Sequence, residues 1–227
     1  MSLNSVLDTY CRDNVSLYSF VCIKGFEDFI VDEGLRKYSY AVSIGIRVPD
    51  EVLDELPNEV AEVEYLNAYN RINERLNVVS KEIEDLITGY GYGARAVNSS
   101  LILPNGNLER EVSHKFIAHL GGLGWIGKSC LLITPEFGPR VRWSSVLTDY
   151  PLTTNRKPLE SRCGGCSVCV DSCPAGAFKN VEFRVGDERS VRYNAYACKK
   201  RFEKLESENR LRLCGICVKV CPWGQKK

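Results

Sequence analysis

The sequence lacks any long apolar run. Nothing in its 227 residues approaches the roughly 18 consecutive apolar residues of a membrane helix, so no membrane association is expected. Its first residues, MSLNSVLDTYCRDN, lack the basic start and apolar centre of a secretory leader, and a cytoplasmic protein is the expectation. An excess of charge of one sign is missing as well. Thirty Lys and Arg stand against 29 Asp and Glu, which excludes a global field drawing the chain to nucleic acid. A local basic patch such as Arg140, Arg142, Arg156 and Lys157 could touch an anionic partner, but a solvated surface is the expectation for it.

Cysteine is what the chain has in quantity. Of 11 cysteines, eight fall between Cys163 and Cys221, and Cys11, Cys22 and Cys130 are left for the long N-terminal part. Disulfides belong to oxidising compartments, and without a leader the better expectation is metal. The three outliers are expected to be small buried hydrophobes, the usual state of a free cysteine.

The spacing of the eight carries the chemistry. CGGCSVCVDSCP places thiols at Cys163, Cys166, Cys169 and Cys173 with Pro174 following; Cys198 stands alone; CGICVKVCP adds Cys214, Cys217 and Cys221 before Pro222. The first run is the bacterial ferredoxin spacing, in which three thiolates wrap one face of a cubane and the fourth ligates the other cluster. Crossed in this way, one [4Fe–4S] cluster takes Cys163, Cys166, Cys169 and Cys221, and the other takes Cys173, Cys198, Cys214 and Cys217. All eight are used. Two zinc sites are the alternative, since paired C-x2-C also suits tetrahedral zinc, but the repeated C-x3-C-P ending disfavours them. Two neighbouring clusters make an electron path.

The N-terminal part, residues 1–155, reads as an α/β domain, and residues 156–227 as a ferredoxin-like double-cluster domain, with the boundary in the proline-punctuated DYPLTTNRKPLE. Residues 38–48 alternate with period two. Tyr38, Tyr40, Val42, Ile44, Ile46 and Val48 point one way and the small Ser39, Ala41, Ser43 and Gly45 the other. The small face suits a closely packed helix or a flat cofactor. Between Pro57 and Gly89, the positions Tyr65, Tyr69, Ile72, Leu76, Val79, Ile83 and Leu86 mark one long amphipathic helix. YGYGARAV turns into a short strand, and residues 108–120 are expected to be helical. CLLIT (130–134) and RVRWSSVLT (140–148) read as a hairpin around PEFGP, and the segment after Cys198 as a helical insertion.

One stretch, GLGWIGKS at 122–129, fits both G-x-x-x-x-G-K-[ST] and G-x-G-x-x-G. Both motifs require a strand before the glycines and a helix after them, so that the helix N-terminus meets the phosphate. Here a helical segment precedes and an apolar strand follows. Nucleotide hydrolysis is therefore set aside, and the glycines are assigned to a tight turn or to close approach of a bound cofactor.

The run GGLGWIGKSCLLITPEFGPRVRWSSVLTDYPL together with the two cysteine motifs resembles the epoxyqueuosine reductase family, relatives of the reductive dehalogenases and of cobalamin-processing flavin-fold proteins. The resemblance covers roughly residues 38–223. It implies an α+β chain: an N-terminal α/β domain of nitroreductase or flavin-fold type, which holds cobalamin base-off, and two [4Fe–4S] clusters that reduce it. On that basis Gly122, Gly124, Trp125, Ile126, Gly127 and Lys128 would lie against the corrinoid or its phosphate-bearing tail. Electrons would come from an external low-potential donor and reach a small-molecule or RNA substrate. Two departures mark a divergent, shorter member. The family's Asp-x-x-Pro proton-donor segment corresponds here to NLEREVSHKF, without Asp or Pro, so Glu109, Glu111 or His114 would have to substitute, with Glu111 and His114 as the catalytic candidates. His114 and His119 read better as ordinary polar residues of a helix. The family's helical-repeat tail for transfer RNA has no counterpart in this sequence. The alternative function is an electron-transfer protein serving a partner enzyme without turnover of its own.

Overall fold

The computed structural model describes residues 2–100 and 111–225. In chain order its elements are α1 (Leu3–Asn14), β1 (Leu17–Cys22), β2 (Tyr40–Arg47), α2 (Asp50–Asp54), α3 (Glu59–Gly89), β3 (Ala94–Val97), α4 (His114–Leu120), β4 (Trp125–Ile126), β5 (Leu132–Ile133), β6 (Val141–Thr148), α5 (Val168–Asp171), α6 (Arg189–Arg192), α7 (Ala195–Ser207) and α8 (Ile216–Lys219). They group into two compact units, each drawn from separate stretches of chain. The first comprises residues 1–47, 71–123 and 142–159; the second comprises 48–70, 124–141 and 160–227. The cysteine-rich segment thus shares its unit with two stretches from the N-terminal part. No described helix is long and apolar enough to cross a membrane.

The first unit is built on a four-stranded sheet in the order β1-β2-β6-β3. β1 and β2 run antiparallel, with Ser19 opposite Ser43 and Val21 opposite Ala41; β3 and β6 are also antiparallel, with Ala94 opposite Thr148. β2 is an inner strand, and Ala41, Val42, Ser43 and Ile44 are all fully buried, so both its faces are covered. Helix α4 covers the small face. A Cβ on Gly121, at the end of α4, would stand 2.7 Å from Val21 Cγ2 and 3.0 Å from Ser19 Cβ, so only glycine allows this approach. Of the two uses considered for the small side chains of β2, the packed helix is the one seen.

The long helix spans Glu59–Gly89 and stops at the expected glycine. Asn58 Oδ1 caps it by accepting from the Ala61 N–H at 2.8 Å. Its buried apolar stripe is Ala61, Tyr65, Ala68, Ile72, Leu76, Val79, Ile83 and Ile87. Tyr69 and Leu86, expected in that stripe, lie half-buried at its margin, because a straight 3.6-residue helix rotates the apolar face gradually over so many turns. Two polar contacts register the helix against β6: Ser80 Oγ lies 2.8 Å from Ser144 Oγ, and Arg142 Nε and Nη2 donate to Asn73 Oδ1 at 3.1 and 3.0 Å.

The hairpin expected around PEFGP does not form. β5 pairs instead with β4, Trp125 opposite Ile133 and Ile126 opposite Leu132, while β6 joins the four-stranded sheet. Thr134 and Gly138 make a single bridge, and that turn then releases the chain. The turn between β4 and β5 is closed by Gly127 N–H donating to Leu131 O at 2.9 Å and Cys130 N–H to Gly127 O at 2.8 Å. Of the expected helix over 108–120, residues 114–120 are helical, and 108–110 lie outside the described residues. The insertion after Cys198 is helical as far as Ser207.

In the second unit, residues 160–225 bury few apolar side chains. Ala177, Leu205 and Val218 are the buried ones among the described residues. So small an apolar core rarely holds a segment of this length without cross-links or metal.

Candidate metal centre

Short loops rather than long helices position the eight thiols. α5 carries Cys169, α7 carries Cys198 and α8 carries Cys217, while the other five lie in turns beside these elements. Two of the turns use left-handed backbone at glycine, Gly164 with φ 49° and Gly215 with φ 73°. Cys166 is exposed and the other seven are partly buried.

The mutual influence of the thiols sorts them. Cys169 is raised by burial first, then by Cys163 and Cys166. Burial pushes Cys221 up to about 11, and its thiol neighbours are Cys169, Cys163 and Cys166. Cys198, raised by burial, faces Cys173; Cys214, raised by burial, faces Cys198 and Cys173. Burial pushes Cys217 up to about 12, with Cys214, Cys198 and Cys173 beside it and Cys169 as the last contributor. Two neighbourhoods of four emerge, and the charge of Cys169 is felt across them at Cys217. Thiolates are the ligating form, and packing four of them together in partial burial demands compensating cations. Backbone N–H groups already point at several sulfurs: those of Cys169 and Val170 at Cys169, Ile216 at Cys214 and Trp223 at Cys221. Tyr193, its hydroxyl held protonated by burial, hydrogen-bonds Cys198. Among the described residues, no three His, Cys, Asp or Glu side chains stand close enough to share a single metal ion. A tetrahedral zinc would draw its sulfurs to about 3.8 Å of one another, given zinc–sulfur bonds of about 2.3 Å. The donor set, eight thiols at ferredoxin spacing, suits iron–sulfur clusters, in which each thiolate holds a different iron.

The hairpin β4–β5 lies against the first cysteine loop. A Cβ on Gly127 would meet Ile133 Cγ1 at 2.8 Å and Cys163 Sγ at 3.4 Å, and one on Gly124 would meet Ile133 O at 2.3 Å. Lys128, 7% exposed, donates from Nζ to Gly164 O at 2.8 Å and to Cys166 O at 3.2 Å. Trp125 packs edge-on against Trp223, centroids 4.8 Å apart, and the Arg162 guanidinium stands 5.8 and 5.9 Å from the two rings. Trp125 Nε1 is buried without a partner, and Ile126 is buried beside it.

A family model for a 4Fe–4S double cluster binding domain matches residues 162–224. Over 117 residues the chain is 37% identical to an epoxyqueuosine reductase from Bacillus cereus; the match covers 49% of this chain and 30% of that protein. The chain thus spans about a third of the length of that curated relative. The fold is similar to that of a solved reductive dehalogenase described in terms of B12-dependent dehalogenation, with a TM-score of 0.73 and 20% identity over 99% of this chain and 31% of the other. It is also similar to that of an epoxyqueuosine reductase solved with an epoxyqueuosine-modified tRNA stem loop, with a TM-score of 0.63 and 18% identity over 98% and 66% of the two chains. The chain is epoxyqueuosine reductase-like. It carries a 4Fe–4S double cluster binding domain and has a mixed α/β fold similar to that of these relatives.

In this epoxyqueuosine reductase-like chain the glycine stretch is engaged internally. Gly122, with φ 68°, brings its backbone so near Lys157 that a Cβ would stand 2.6 Å from Lys157 O; Gly124 and Gly127 admit Ile133, and Lys128 holds the cysteine loop. Its GKS segment forms the tip of a hairpin, with no helix N-terminus for a phosphate. His114 opens α4 in a buried position, Nδ1 3.1 Å from Ser145 Oγ and Nε2 3.2 Å from Asn98 O. Glu111 is half-buried, and its carbonyl accepts from Val31 N–H at 3.0 Å and Asp32 N–H at 3.3 Å. Glu109 lies outside the described residues.

The basic patch needs correction. Arg140 is 1% exposed and ion-paired to Asp50 at 3.2 Å and Asp54 at 2.6 Å; it is a buried structural cation and no part of a solvated surface. Cys11 is buried on α1 and pushed up to about 12 by burial, and Cys130 is buried with Arg192 Nη1 3.6 Å from its sulfur, whereas Cys22 is exposed, against expectation. The sequence left faint signals for the residues that were missed: Arg162 directly precedes Cys163, and Tyr193 sits one helical turn or so before Cys198.

Proposed function

We propose that the chain is an oxidoreductase in which electrons from an external low-potential donor pass through two [4Fe–4S] clusters. One cluster is held by Cys163, Cys166, Cys169 and Cys221, the other by Cys173, Cys198, Cys214 and Cys217. The observation that carries this reading is the sorting of eight thiols into two neighbourhoods that match the ferredoxin crossing.

The acceptor in this reading is cobalamin bound by the same chain, as the likeness to the B12-dependent dehalogenase suggests. When bound, it would supply a strongly reducing metal centre, the protein providing placement and exclusion of water. The substrate class is either a small molecule or RNA, the latter suggested by the relative solved with a tRNA stem loop. The glycine stretch is a poor corrinoid cradle, since Lys128 spends its ammonium on two carbonyls and the glycines admit protein atoms. His114, with both ring nitrogens bonded, is a packing residue in this reading, and Glu111 is retained as the candidate acid.

That internal engagement favours a second reading, an electron carrier serving a partner enzyme. The two separate on one titration. Cobalamin added to anaerobic, cluster-loaded protein should shift from its base-on to its base-off absorption spectrum in proportion to protein. An unchanged spectrum with cobalamin well above micromolar would favour the carrier.

A further inference from the structure

We propose that Lys128 is a positioning residue of the Cys163–Cys169 loop, and that its charge raises the reduction potential of the cluster on that loop relative to a neutral side chain. The inference rests on the two-cluster assignment above. Lys128 sits at the tip of the β4–β5 hairpin, and a Cβ on the neighbouring Gly127 would stand 3.4 Å from Cys163 Sγ, so the hairpin tip and the cysteine loop lie side by side within a single unit of the fold. Its two bonds go to the carbonyls of Gly164 and Cys166, the residue after the first ligand and the second ligand itself. Carbonyl partners orient the ammonium without cancelling its charge, and the side chain is 7% exposed, so water screens it poorly.

Two physical consequences follow. Because peptides are planar and trans, drawing the carbonyls of Gly164 and Cys166 towards Lys128 turns the N–H groups of Gly165 and Ser167 away from it and fixes the loop's shape. Gly164 accommodates this with φ 49°. The reduced cluster carries one more negative charge than the oxidised one, so an uncancelled cation nearby favours reduction; net charge and hydrogen bonding are the levers that set such potentials. The motif that imitates a phosphate loop therefore serves as a clamp on the cluster loop.

The experiment is an electron paramagnetic resonance-monitored reductive titration of cluster-loaded protein, comparing the parent with Lys128→Met and Lys128→Arg. In Lys128→Met, one of the two couples should become harder to reduce, its reduced-to-oxidised ratio at fixed potential falling about tenfold, or about 59 mV for a one-electron couple. The affected signal should be the one that Cys166→Ala abolishes, and Lys128→Arg should restore most of the ratio. Should Lys128→Met lose a cluster instead, retention of about four irons with recovery to about eight in Lys128→Arg supports the clamp. Unmoved couples, equal movement of both, loss of both clusters, or identical behaviour of the Met and Arg variants would overturn it. A parent protein without clusters would instead count against the function proposed above.

Discussion

Cys221→Ala is expected to remove the same cluster as Cys166→Ala, although one residue lies in the last cysteine run and the other in the first. Each variant should keep about four of about eight irons, and the double variant should keep about four as well. Pairing Cys166→Ala with Cys217→Ala should instead abolish both clusters. The physical ground is that Cys221 has Cys169, Cys163 and Cys166 as its thiol neighbours, whereas Cys217 has Cys214, Cys198 and Cys173. Iron and sulfide analysis of anaerobically purified protein reads the outcome. If Cys166→Ala and Cys221→Ala are additive and together leave no iron, the crossed assignment is wrong.

Arg140→Met is expected to have the largest effect away from the cysteines. Arg140 and Asp50 are 1% and 3% exposed, so removing the guanidinium takes the ion-pairing cation away from a buried carboxylate. Breaking a buried pair from one side costs about 3–5 kcal/mol. In a chain of this size that lowers the thermal midpoint by about 10 °C. Asp54, half exposed, loses far less because water can solvate it. The double variant Arg140→Met/Asp50→Leu should recover part of the loss, since the buried carboxylate is then removed together with its cation. Thermal unfolding followed by circular dichroism checks both. A midpoint within a degree or two of the parent for Arg140→Met would show that the pair is not needed.

The cluster domain was legible in the sequence because most of its cysteines fall in short runs with the spacing that such domains use. The long helix and the inner strand were legible because apolar periodicity survives over many residues, from Ala61 to Ile87 in one case and from Tyr38 to Val48 in the other. The β4–β5 pair was not. Two-residue strands have no readable period, and CLLIT is as compatible with a partner before it as with one after it. Lys128 matched a phosphate motif because glycine, lysine and serine satisfy a pattern that says nothing about what the lysine reaches; only the fold brings Gly164 and Cys166 to its ammonium. Arg140 read as surface because four basic residues near one another in sequence resemble a patch, and the carboxylates that bury it come from α2, far away in the chain. The small face of β2 left two uses open, and the approach of Gly121 to Ser19 and Val21 gives it to a helix.

The most direct measurement is the metal and acid-labile sulfide content of the parent protein purified without oxygen, joined to its absorption and electron paramagnetic resonance spectra. Two cubanes require a brown protein with iron and sulfide each near eight per chain, about four per cluster, and signals from two interacting reduced centres. A colourless protein carrying about two zinc ions and no sulfide would contradict the account at its base.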